Sequence, residues 1–116
     1  NLSAVTGACL FSRRSIYEEV GYMDEENFAV AFNDVDFCLK IRQAGYLIVY
    51  NPYIEFMHYE SKTRGYEDTP EKKARFERES NNFKTKWRKV LDAGDPYSNI
   101  NFDKNTAQYN IRTDKI

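Results

Sequence analysis

No apolar run in this sequence is long enough to cross a bilayer. The longest, Val5 to Phe11 and Tyr46 to Tyr50, fall far short of the roughly 20 residues that a helical span needs. No charged n-region followed by an apolar h-region opens the residues given. A net positive field is missing too: 17 Lys and Arg stand against 18 Asp and Glu, which argues against a nucleic-acid backbone as partner. There are only two cysteines, Cys9 and Cys38. Both sit in apolar patterns, which reads as reduced thiols of a core in a cytosolic setting rather than as a disulfide framework. With one histidine, His58, the chain is poor in nitrogen ligands, and one imidazole is not a metal site.

What is present fits one modest domain of 116 residues. The chain opens at Asn1 inside an element already in progress, which is expected of a trimmed piece. Val5 to Phe11, with Gly7 inside it, reads as a buried strand that another backbone approaches closely. A short helix is expected over Ser12 to Val20, with Ser12 as cap and Gly21 ending it. Tyr22 to Phe32 has neither period and reads as a loop. Asn33 is a good N-cap, Asp34 and Asp36 suit the positive end of a helix dipole, and Gly45 stops the run, so a helix is expected over about 33–44. Tyr46 to Tyr50 and Ile54 to Met57 read as strands about the Asn51-Pro52 turn. Lys62 to Asp68 reads as a surface loop. A long helix begins at Pro70 behind the cap Thr69, with Phe76, Phe83, Trp87 and Val90 at helical spacing. Residues 1–94 form the domain and 95–116 a polar tail. The fold class expected is α/β, a partial mixed sheet carrying these helices.

Three features could carry chemistry. The first is Asn33-Asp34-Val35-Asp36, where Asp34 shares a helix face with Cys38 and Ile41 and so overlooks the rim of the core. The helix dipole keeps such a carboxylate ionised and able to take a proton from a hydroxyl, although capping alone also selects aspartates there. The second is His58 at a strand end. The third is the run Glu60-Ser61-Lys62-Thr63-Arg64-Gly65, which an ordinary solvated loop would also show.

Taken in order, these features resemble a known family. Val5-Thr6-Gly7-Ala8-Cys9-Leu10, Arg13-Arg14, Glu19-Val20-Gly21-Tyr22-Met23-Asp24-Glu25, Phe32-Asn33-Asp34-Val35-Asp36-Phe37-Cys38-Leu39, Gly45-Tyr46 to Pro52, and His58 with Glu60-Ser61 and Arg64-Gly65 are similar to the acceptor-side half of family-2 glycosyltransferases of the GT-A fold. The resemblance runs from about Val5 to Trp87. It implies an inverting, metal-dependent transfer of a sugar from a nucleotide-sugar donor to an acceptor hydroxyl in glycan or polysaccharide synthesis. Asp34 would be the catalytic base. Asn33, Asp36, Glu60, Ser61 and Arg64 would contact or support the acceptor. His58 would help hold Mn or Mg, but only with the nucleotide-binding half, whose Asp-x-Asp motif should precede Asn1. The family commonly has Glu where this chain has Asn33, so Asp36 is a candidate to share that duty.

The chain by itself is expected to be inactive, free of metal and prone to self-association, and the family implies action in the cytoplasm, including at the cytoplasmic face of a membrane. Two other readings compete. One is a non-catalytic glycan-binding or protein-interaction module using Tyr22, Phe28, Phe32, Tyr59 and Tyr66. The other is a metal-dependent hydrolase on Asp34, Asp36 and His58, which lacks ligands.

Overall fold

The computed structural model describes residues 1–59, 68–106 and 108–113. In chain order the elements are a short 3-10 turn Gly7–Cys9, then α1 (Arg14–Glu19), α2 (Asn33–Gln43), α3 (Pro70–Lys86) and α4 (Arg88–Ala93). None of the described helices is long and apolar enough to cross a membrane.

The expected mixed sheet does not form. Among the described residues, strand-like pairing is confined to two isolated antiparallel bridges, Leu2 with Ile48 and Phe102 with Ile111. Val5 to Phe11 instead contains the 3-10 turn, opened by Thr6, whose hydroxyl accepts the Ala8 N–H. Tyr46 to Tyr50 pairs in strand fashion only at one bridge, where the Leu2 N–H donates to the Ile48 carbonyl at 2.9 Å. The α/β assignment is therefore corrected to a mainly helical unit with extended connections. The physical reason is that β-branched and aromatic runs record fitness for a pleated, half-covered surface, not a backbone preference of their own. A strand without a neighbour in register leaves its N–H and C=O groups to water. Consistent with that, Leu47, Val49, Phe56 and Met57 are all more than half exposed.

The helix boundaries follow local signals. Gly21 at φ +80° and Gly45 at φ +93° adopt the left-handed backbone that ends α1 and α2. α3 opens with Thr69, whose side chain accepts the Lys72 N–H at 3.2 Å, and Pro70 in the first turn. It stops at Trp87, so Phe83 and Trp87 are buried while Val90 lies on the separate α4.

α2 is the centre of the fold. One side packs Leu39 with Phe28, Phe83 and Trp87, with Phe32 and Val35 alongside. The other packs Phe37, Cys38 and Ile41 with Ile48, flanked by Val5, Ile16, Tyr17 and Val20. Each fully buried side chain of this size contributes about 1.5 to 3 kcal/mol, so α2 is fastened from both sides. Tyr17 makes an edge contact with Phe37 at 5.3 Å between ring centres. The segment after Asp95 is tied back by the Ser3 hydroxyl donating to Asp95 at 2.5 Å and by Arg42 over the Tyr97 ring at 5.3 Å.

Candidate functional site at the start of helix α2

The approach to α2 is held in an unusual backbone conformation. Phe32, at φ 64° and ψ 3°, is the residue before the first helical turn, and its side chain makes no cap hydrogen bond. A left-handed L-residue costs about 1 to 2 kcal/mol. Burial offsets this, because Phe32 stacks on Phe83 at 5.2 Å and lies 5.5 Å from Phe76. The cap position thus falls one residue before the expected Asn33. Asn33 is the first helical residue, and its side-chain amide donates to the Val30 carbonyl at 3.3 Å.

Asp34 is half-buried in the first turn. Its Oδ2 accepts the Gly7 N–H at 2.8 Å, and its Oδ1 accepts the Val35 N–H at 2.8 Å. Each oxygen keeps a lone pair for a further donor. Gly7 leaves little room: a Cβ there would lie 3.2 Å from the Asp34 Cβ, so Asp34 would have to give by a few tenths of an ångström. The close backbone approach expected at Gly7 is therefore made by the carboxylate of α2. Cys38, one turn on, is fully buried with its Sγ 3.8 Å from the Val5 carbonyl. Burial pushes the Cys38 thiol pKa up, and the nearby Asp34 charge pushes the same way. Cys9 and Cys38 are both free thiols.

Asp36 is placed differently. It is 0% exposed and faces α3, where its Oδ1 accepts the Trp87 indole N–H at 2.7 Å and pairs with Lys86 Nζ at 2.7 Å. Its Oδ2 lies 3.8 Å from Lys40 Nζ. In this position Asp36 does not present itself to an acceptor. Trp87, Lys86 and Glu79 were not singled out as functional from sequence; the lone tryptophan was the available signal, but its partner lies 51 residues away.

His58 is exposed and lies on the wall of an apolar cleft of about 1070 Å³, together with Val5, Cys9, Phe11, Leu47 and Met57. Asp34 is not part of that wall. The structure thus brings Asp34 to Gly7 but does not bring it to the cleft that His58 lines. Among the described residues no three His, Cys, Asp or Glu side chains gather as a metal centre. Glu60, Ser61, Arg64 and Tyr66 lie outside the described residues. Of the other aromatic candidates for a sugar-binding face, Phe28 is buried at 1% exposure, whereas Tyr22 and Tyr59 are exposed.

Comparison with known proteins gives partial matches. The chain is 52% identical over 101 residues to the uncharacterized protein y4gI of Sinorhizobium fredii, covering 87% of this chain and 11% of that protein. It is 38% identical over 61 residues to the N-acetylglucosaminyl-diphospho-decaprenol L-rhamnosyltransferase of Mycobacterium tuberculosis, covering 53% of this chain and 20% of the enzyme. It is 34% identical over 71 residues to the O-antigen biosynthesis protein RfbC of Myxococcus xanthus, covering 61% of this chain and 6% of that protein. The chain thus spans a fifth or less of the length of each of these relatives. No family model matches, and no solved structure matches.

Proposed function

We propose that this chain is the acceptor-side, C-terminal part of a family-2 glycosyltransferase catalytic domain, with residues 1–94 as the domain portion, and that Asp34 is its general base. The similarity to a rhamnosyltransferase and an O-antigen biosynthesis protein supports sugar transfer in glycan assembly. The observation that carries the role of Asp34 is its half-exposed carboxylate at a helix start, oriented by the Gly7 N–H.

In the proposed reaction the acceptor oxygen forms a bond to the anomeric carbon of a nucleotide sugar as the bond to the diphosphate breaks, with inversion. The acceptor proton passes to Asp34, and the nucleotide diphosphate leaves with the bonding electron pair. The Gly7 and Val35 donors fix the direction of the base. A divalent metal belongs to the complete enzyme in this proposal. His58 is the ligand this chain would offer, the remaining ligands coming from the nucleotide-binding part, and the chain alone is inactive.

The test uses the full-length protein containing this chain, assayed for nucleotide release with UDP-glucose, UDP-N-acetylglucosamine, GDP-mannose and dTDP-rhamnose, with and without a glycan-lipid extract as acceptor. Asp34→Asn should lower acceptor-dependent release by about 100- to 10,000-fold while leaving donor binding unchanged. Wild-type turnover in that variant would falsify the assignment.

A further inference from the structure

We propose that Glu79, on α3, and Trp87, the residue that closes it, are positioning residues for Asp34, acting through the backbone at Ala31 and through Asp36. The proposal rests on the reading of Asp34 as base and adds the device that holds it. Asp34 and Asp36 are two residues apart, so they project about 200° apart around α2. One is held by Gly7 and the other by Trp87 and Lys86. The first turn of α2 is therefore gripped from opposite sides, and rotation about the helix axis breaks both grips together. A rotation of about 20° would carry a carboxylate, which lies roughly 5 to 6 Å from the axis, through about 2 Å. Misplacement by about 1 Å is enough to reduce a catalytic rate by about 100-fold.

The grip extends along α3. Glu79, 2% exposed, accepts the Ala31 N–H at 2.6 Å. Asn82 donates to the Asn27 carbonyl at 3.4 Å. Phe83 stacks on Phe32, the left-handed residue that feeds the chain into α2. Lys86 bridges Asp24 at 3.5 Å and Asp36 at 2.7 Å. Positions 79, 82, 83, 86 and 87 recur at three and four residues and form one helix face. That face follows the connection leading into α2 and ends beside its first turn.

Two buried carboxylates are a costly way to join two helices, because each must be stripped of water, and apolar side chains of similar volume would avoid that cost. They add direction. An indole N–H on a carboxylate oxygen and a carboxylate on one backbone N–H fix rotation and register, which apolar packing allows to slip.

The test is made on the isotope-labelled 116-residue chain, so it does not depend on activity. Trp87→Phe keeps the ring and removes the indole donor. The expected result is loss of the through-hydrogen-bond coupling between the Gly7 amide nitrogen and Asp34 Cγ, and exchange of the Gly7 amide faster by about 3- to 10-fold, with amides in the middle of α3 unchanged. An unchanged coupling and an unchanged Gly7 exchange rate in a folded Trp87→Phe protein overturn the proposal. If Trp87→Phe does not fold, Glu79→Met, which leaves the indole bond in place and removes the acceptor of the Ala31 N–H, decides by the same two measurements. The Asp34→Asn assay above fails or succeeds independently, so an error in the functional reading is separable from an error here.

Discussion

Replacing Asp36 by Ala tests how the two halves of the core are joined. Three partners lose their acceptor, of which Lys40, 3.8 Å away, keeps the Tyr22 carbonyl. The Trp87 indole N–H is buried, with Trp87 only 5% exposed, and leaving such a donor unsatisfied costs about 1 to 3 kcal/mol. Lys86 is less affected, because its side chain is 37% exposed and Asp24 lies 3.5 Å away. It can turn to water or to that second carboxylate, so its share resembles that of a surface pair, about 0 to 1 kcal/mol. Removing the buried charge also recovers part of its desolvation cost. The expected net loss is about 2 kcal/mol, well below the 3 to 5 kcal/mol of a fully buried broken pair.

Asp36→Asn keeps an oxygen for the indole and should lose about half as much, since a bond to a neutral acceptor is worth about half a charge-assisted one. Urea unfolding followed by tryptophan fluorescence measures both, because Trp87 is the only tryptophan and reports on its own environment. An Asp36→Ala protein within about 0.5 kcal/mol of wild type, the ordinary spread for surface changes, would show that the Asp36–Trp87 contact contributes nothing to joining α2 and α3.

Asp24 supplies a pH dependence. The Asn27 backbone N–H and side-chain amide, with Lys86 beside them, hold its pKa below the ordinary 3.8. A depressed carboxylate contributes stability above its unfolded pKa and loses it as pH falls through the lower folded value. Asp24→Asn should therefore narrow the gap in urea midpoint between pH 6 and pH 2, and a wild-type acid slope in the variant would remove Asp24 as its source. The apolar cleft, with Phe11 77% and Met57 79% exposed, should make the isolated chain self-associate, as large exposed apolar surfaces do. Light scattering that shows a monomer across the concentration range would count against that expectation.

The sequence by itself determined the features whose causes lie within one turn of chain. Thr69 and Pro70 start α3, Gly21 and Gly45 end α1 and α2, and Asp34 falls in a first helical turn because the cap, the dipole and the stop are all local. Gly7 was legible as a place of close approach, since only a missing Cβ signals one. What approaches it was not, because Asp34 lies 27 residues away. Tertiary structure alone separated the two aspartates, which look equivalent as helix-start acids. One faces Gly7 at the half-exposed rim, and the other is sealed against Trp87. It also decided against the sheet: strand pairing depends on what lies alongside a segment, and within the described residues the apolar runs meet a partner only at isolated bridges.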